Sequence, residues 1–272
     1  MKTNNIPGVF LVTRPEEKSS DFIETLSLRG VKTRSLPMIS VEPSNFSADC
    51  EGVEQKILQL FKFDLVIFIS TYAVNILDDL LNKYNFVWPP KLHCIAIGSQ
   101  TAKAIKEKGW PVDENCFFDD SKHQQTSESL LSLPPLQNVL NKNIIIIRGH
   151  GGREFLSSIL KNRGANVEYF ELYSRTAKSY ELNHLVEVLG IGSEEEKVTA
   201  ILFASGETLQ AFHQNIKKYK LFKSVRGIQI IVPSERLRKN ALELGFVNVN
   251  CSINASSTAF IEEIKNIVNI KI

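Results

Sequence analysis

The sequence predicts an α/β protein built as two similar doubly wound parallel-sheet lobes. Three observations carry this. Short runs rich in Val, Ile, Leu and Phe recur at 9–13, 64–70, 93–97, 144–148, 199–204 and 228–232, as expected for parallel strands covered on both faces. Segments with helical spacing lie between them, such as Phe22, Ile23, Leu26 and Leu28, or Phe155, Leu156, Ile159 and Leu160. The second half of the chain also repeats the first. Arg14 and Arg29-Gly30 recur as Arg148 and Arg163-Gly164 at an offset of 134. Asp64–Ser70 recurs as Thr199–Ser205 at 135, and His93–Gly98 with Gly109 as Gln229–Ser234 with Gly245 at 136. Two similar lobes usually work through the cleft between them.

Each element follows from local signals. Glycines at 30, 109, 164 and 245 mark helix ends. Pro15 suits the first turn of a helix, where its missing N–H costs nothing. Leu36–Val41 and Val167–Tyr173 read as extended segments, each following a βα unit, and are the candidates for interlobe crossings. The polar stretches 119–129 and 190–197 read as surface loops.

Composition narrows the function. With 272 residues, 43% of them apolar, each lobe can bury its own core. The 32 Lys+Arg against 30 Asp+Glu argue against a nucleic-acid protein with one dominant basic face. Cys50, Cys94, Cys116 and Cys251 are far apart and read as reduced thiols. The histidines lack metal-ligand spacing, and His150, in a glycine-rich loop, is the only one placed to touch a ligand, with a solvated loop histidine the favoured reading. No apolar stretch approaches the roughly 20 residues of a membrane span, and no export signal is evident. The reading is of a cytoplasmic protein.

The strand ends are where chemistry would sit. They read Thr13-Arg14-Pro15, Ser70-Thr71, Gly98–Thr101, Gly149–Arg153, Ser205-Gly206 and Pro233-Ser234-Glu235. Ligands of open α/β sheets bind at the carboxyl ends of strands, where helix N-termini present free N–H groups and positive dipole ends. Capping alone explains Ser70, Ser205 or Ser234 taken singly. As a set, with Arg14, Arg148 and Arg153, they make a site for a large ligand bearing several carboxylates or phosphates. There is no Gly-x-Gly-x-x-Gly after a strand, no P-loop and no Gly-x-Ser-x-Gly elbow. Neither a nucleotide nor a metal is indicated.

At these residues the chain resembles the uroporphyrinogen-III synthase family. The matching stretches are Leu11–Pro15, Leu26 with Gly30, Leu36–Pro43, Asp64–Val74, Ile97–Ala102, Arg148–Leu156, Arg163–Val167, Leu172–Arg175 and Leu202–Ser205. Each is weak alone, but their order spans nearly the whole chain. The resemblance implies that the linear tetrapyrrole hydroxymethylbilane is the substrate. It would lose its terminal hydroxyl as water, invert ring D through a spiro intermediate and close to uroporphyrinogen III, a haem precursor, without a cofactor. Eight substrate carboxylates agree with the anion site argued above.

The resemblance also implies a topology. A plain duplication would divide the chain into 1–140 and 141–272. The family instead places 1–35 with 174–272 in one discontinuous lobe and 42–166 in the other. A two-stranded crossing at 36–41 and 167–173 joins them, so that the first βα unit is reciprocally exchanged. Tyr173 matches the family's tyrosine in the returning strand, whose role is to hydrogen-bond or protonate the departing hydroxyl. A phenol stays protonated at neutral pH and can donate. Packing of the hinge is the competing role. Ser70, Thr101, Ser205 and Ser256 match the family's hydroxyl positions for substrate carboxylates. Gly149 and Ser234 lie at equivalent strand ends. Pro233-Ser234-Glu235 departs from the family's pattern, and Glu235 would oppose an anion unless it points away. The expected state is a monomer, with transient contact with hydroxymethylbilane synthase left open. A non-catalytic two-lobed sensor for a polyanion is the alternative, and it needs no Tyr173.

Overall fold

The computed structural model describes residues 6–16, 19–44, 50–117, 127–152, 154–193 and 197–268. The elements in chain order begin with β1 (Ile6–Val12), α1 (Ser20–Leu28), β2 (Val31–Ser35), β3 (Ile39–Pro43), α2 (Cys50–Gln59), β4 (Leu65–Phe68), α3 (Thr71–Lys83), β5 (His93–Ala96) and α4 (Ser99–Glu107). Next come α5 (Ser127–Leu130), α6 (Pro134–Gln137), β6 (Asn143–Gly149), α7 (Phe155–Asn162), β7 (Asn166–Ala177) and α8 (Leu182–Leu189). The chain ends with β8 (Val198–Leu202), α9 (Gly206–Lys218), α10 (Phe222–Val225), β9 (Gln229–Val232), α11 (Glu235–Glu243), β10 (Val249–Cys251) and α12 (Ser257–Ile267). The protein is α/β with parallel sheets. It divides into two compact units, 1–41 with 176–272 and 42–175.

The first unit holds a sheet in the order β10-β9-β8-β1-β2, with every pair parallel. Alternation along its strands sends side chains to two cores. Val9 and Leu11 pack on one side with Ile201, Ile230, Leu209 and Phe212. Phe10 and Val12 pack on the other with Ala200, Leu202, Ile231, Phe22 and Phe260. This is why the strands read as continuous apolar runs rather than as alternating ones.

The second unit holds the order β3-β7-β6-β4-β5. β7, β6, β4 and β5 are parallel neighbours. Ile144 to Ile147 and Val66 to Phe68 are all buried. On α3, Ala73, Val74, Leu77, Leu80 and Leu81 form the buried face at helical spacing. The Lys178 N–H donates to the Met38 carbonyl and the Ser44 N–H to the Leu172 carbonyl, so β3 and β7 run in opposite directions. The chain division falls inside these two strands, at Val41/Glu42 and Arg175/Thr176. Residues 167–173, expected as a crossing, lie along β6 as part of a sheet strand, and the division comes after them.

Helices α1 and α7, repeat copies of one another, end at Gly30 and Gly164 with φ of 75° and 87°. This left-handed turn costs glycine little and closes the last helical carbonyls. One expectation needs correction. Pro15 does not lie in the first turn of α1, which starts at Ser20. The Ser19 hydroxyl donates to the Arg14 and Pro15 carbonyls, and the Ser19 N–H donates to the Glu16 carbonyl. These bonds tie Ser19 back to Arg14, Pro15 and Glu16 ahead of the helix. Of the loops expected at 119–129, residues 127–129 start α5 and the others lie outside the described residues. Among the described residues no helix is long and apolar enough to cross a membrane. Cys94, Cys116 and Cys251 are free thiols.

Candidate functional site

In the first unit the carboxyl ends of four adjacent strands meet helix starts or Arg14. Ser205, Ser234 and Ser256 follow β8, β9 and β10 and cap α9, α11 and α12. Their hydroxyls accept from the N–H groups of Thr208 at 3.3 Å, Leu237 at 3.3 Å and Ala259 at 3.2 Å. Each helix therefore keeps its earliest N–H groups clear of intrahelical bonds. Glu235, at the start of α11, turns toward Arg238 at 3.5 Å.

Arg14 follows β1 in the same row. Its guanidinium lies 4.1 Å from the Phe22 ring centre and 5.6 Å from that of Phe260. It donates to the Ala255 carbonyl, one residue before the cap of α12. Among the described residues no carboxylate pairs with it. Burial lowers its pKa to about 10, which leaves it charged at neutral pH. The neighbouring Thr13 is fully buried and donates to the Leu202 carbonyl at 2.8 Å, which ties the ends of β1 and β8 together.

In the second unit Ser70 follows β4 and caps α3, accepting from the Ala73 N–H at 3.2 Å. Its Oγ lies 2.9 Å from the Tyr173 Oη, and either oxygen can donate. Both residues are buried, Ser70 to 5% exposure and Tyr173 to 1%. The Tyr72 ring lies 5.8 Å from the Tyr173 ring. Gly149 makes room for that ring, because a Cβ there would come within 2.4 Å of it. Thr101 is buried in the first turn of α4, one strand away.

Arg148 stands apart from this group. Its register partner on β7 is Glu171, whereas Gly149 pairs with Tyr173, and Leu172 is the extra residue of a bulge. Successive residues of a strand point to opposite faces. The slip therefore puts Arg148 with Glu171 on one face and Gly149 with Tyr173 on the other. The Arg148 Nη2 is 2.9 Å from Glu154 and 3.0 Å from Glu171, and its Nη1 donates to the Gly152 carbonyl at 3.1 Å. Its guanidinium lies 3.5 Å from the centre of the Tyr169 ring. Burial works to lower the Arg148 pKa, but the hydrogen bond to Glu154, the nearby Tyr169 and the bond to Glu171 outweigh it and hold the group above its ordinary value. Burial likewise works to raise Glu171, and the bond and charge of Arg148 prevail, with His150 adding to them, so that carboxyl sits below its usual range. The other Glu171 oxygen meets His150 Nδ1 at 2.8 Å, and the His150 ring is largely exposed.

Of the residues expected from sequence, the structure joins Ser70, Gly149 and Tyr173, and sets Arg14 beside the start of α12. It ties Arg148 into ion pairs instead. Arg153 lies outside the described residues. Sequence reasoning missed Glu154, Glu171 and Tyr169 as partners of Arg148, and Phe22 and Phe260 as the bed of Arg14. One signal was available for Glu171, which stands among apolar residues of an evident strand and so calls for a buried partner.

The family model HEM4, described as uroporphyrinogen-III synthase HemD, matches residues 20–262. The uroporphyrinogen-III synthase of Escherichia coli is 29% identical over 261 residues, covering 94% of this chain and 99% of that protein. That of Salmonella typhimurium is 29% identical over 266 residues, covering 94% and 99%. Among solved structures, a mutant uroporphyrinogen III synthase from the extremely thermophilic bacterium Thermus thermophilus matches with a TM-score of 0.59 at 18% identity, covering 97% of this chain and 99% of that one. The synthetase from Helicobacter pylori gives 0.59 at 15% identity, covering 96% and 99%. The chain belongs to the uroporphyrinogen-III synthase family.

Proposed function

We propose that the protein is a cyclising lyase. It takes hydroxymethylbilane, removes the terminal hydroxyl as water, inverts ring D and closes the macrocycle to uroporphyrinogen III. The observation that carries this reading is the Ser70–Tyr173 pair at 2.9 Å, a phenol held at the carboxyl ends of parallel strands in a chain of this family. Tyr173 is the residue proposed to protonate the leaving hydroxyl. Arg14 and the helix starts at Thr101, Ser205, Ser234 and Ser256 are proposed to hold substrate carboxylates. Arg148 and Gly149 serve by shaping the β6 end. Arg153 stays a proposed substrate contact on sequence alone.

In this reading the first βα unit has exchanged between the lobes. The place of β1 between β8 and β2, against that of its copy β6 between β7 and β4, supports it. The protein is taken to act as a cytoplasmic monomer, with hydroxymethylbilane synthase as a transient neighbour.

Hydroxymethylbilane closes spontaneously to the type I isomer, so product identity is the test. Purified protein should yield type III product without added metal or nucleotide. Type I product alone, from folded protein, sinks the reaction and favours the polyanion sensor.

A further inference from the structure

A tyrosine that gives up its proton must keep that proton aimed at the substrate, and the phenolate left behind must be stabilised. The structure gives the Tyr173 oxygen one close hydroxyl partner. Ser70 Oγ stands 2.9 Å away, with both side chains almost wholly withdrawn from solvent. A serine hydroxyl has one proton and two acceptor sites. One acceptor site of Ser70 already takes the Ala73 N–H at 3.2 Å. That bond fixes the Ser70 side chain on the start of α3. It also places a helix N-terminus, with its positive dipole end, behind the serine oxygen.

If Tyr173 donated to Ser70, its proton would be withheld from the substrate. Ser70 must therefore be the donor when the reaction occurs. Gly149 leaves the tyrosine ring its space, since a Cβ there would come within 2.4 Å of the ring. We propose that Ser70 is a positioning residue rather than a substrate-carboxylate contact: it donates its hydroxyl proton to the Tyr173 oxygen, turns the phenol proton outward and stabilises the phenolate formed in the dehydration step.

This rests on the proposed role of Tyr173. In the step, the Tyr173 O–H bond breaks and its proton joins the leaving hydroxyl, while the substrate C–O bond breaks with its electron pair going to the departing water. The phenolate, held by the Ser70 O–H, is reprotonated by the proton that the ring carbon releases as the closing macrocycle regains its pyrrole. The net change is loss of one water. Hydrogen bonds to a charged acceptor are stronger than those to a neutral one, so the serine bond counts more in the transition state than in the ground state.

The test is single-turnover rate and product affinity for Ser70→Ala, Ser70→Gly, Ser70→Thr, Tyr173→Phe and the double variant Ser70→Ala/Tyr173→Phe. Ser70→Gly is included because glycine caps a helix nearly as well as serine while lacking the hydroxyl. Tyr173→Phe should slow the step about 3- to 100-fold. Ser70→Ala and Ser70→Gly should slow it by a similar or smaller factor and leave product affinity within about 2-fold. Ser70→Thr should restore most of the rate. The double variant should be no slower than Tyr173→Phe alone, because the serine acts only through the phenol. Full rate in Ser70→Gly, a loss that appears in affinity instead of rate, or losses that multiply in the double variant would overturn the proposal. Failure of the parent protein to make type III product would instead overturn the proposed reaction.

Discussion

Arg14 and Arg148 are copies of one another in the repeat, yet the two units treat them oppositely. Arg148 is 7% exposed, with two carboxylates and a tyrosine ring around its guanidinium. Arg14 rests on Phe22 and Phe260, bonds one carbonyl, and has no carboxylate partner among the described residues. A desolvated charge is costly unless something of opposite sign meets it. Arg148 has its counter-charge inside the protein. Arg14 has none among the described residues, and in the proposed function a substrate with many carboxylates supplies it. The repeat thus keeps the backbone position while the surroundings differ: Arg148 is an ion-paired cation, and Arg14 is the one proposed to bind substrate.

The comparison breaks most visibly at Arg148. Arg148→Met should lower stability by about 2–4 kcal/mol, less than the loss of one partner from a fully dry pair because Glu154 is largely exposed. Chemical denaturation reads this directly, and an unchanged midpoint would mean that the ion pairs contribute nothing. Arg14→Met should do the reverse. Methionine fits between two phenyl rings, and a buried charge with no carboxylate partner among the described residues is removed, so the melting temperature should hold or rise. Product affinity should fall about 10- to 100-fold, the range for a hydrogen bond to a charged group. Calorimetric titration with uroporphyrinogen III separates the two outcomes, and parent-like affinity would remove Arg14 from the site.

How much of this could be read beforehand follows from where each signal lies. The central strands were legible because burial on both faces makes them apolar throughout. β2 and β10 were not, because each buries little apolar surface: Val31-Lys-Thr-Arg-Ser35 buries only Val31, and Val249-Asn-Cys251 only Val249. The serine caps were legible from their place between an apolar run and a helical one. The ion pairs of Arg148 were not legible, for a different reason. Its role depends on Glu171, which is 23 residues away in the chain, and on a one-residue slip in β7. No local pattern encodes that slip. It sends Arg148 and Tyr173 to opposite faces, although both stand at neighbouring strand ends.

The smallest expected effect sharpens the contrast through pH. The folded state holds the Glu171 carboxyl below its usual range. At mildly acid pH the unfolded chain therefore binds more protons at this position than the folded one, and stability falls as pH falls. The contribution is complete above the ordinary glutamate pKa of about 4.3. It is lost as pH drops through that value and then through the lower folded one. The parent should exceed Glu171→Gln in stability by about 0.5–1 kcal/mol at pH 6, the range of partly exposed ion pairs. The gap should close as pH approaches about 3, below the ordinary carboxylate range. Arg14 has no carboxylate partner among the described residues, so the stability difference between the parent and Arg14→Met should stay flat across the same window. Denaturation midpoints for the three proteins at four or five pH values decide it. A gap for Glu171→Gln that does not change with pH would show that Glu171 acts by packing alone, and the electrostatic distinction between the two arginines would then rest on the Arg14 affinity measurement.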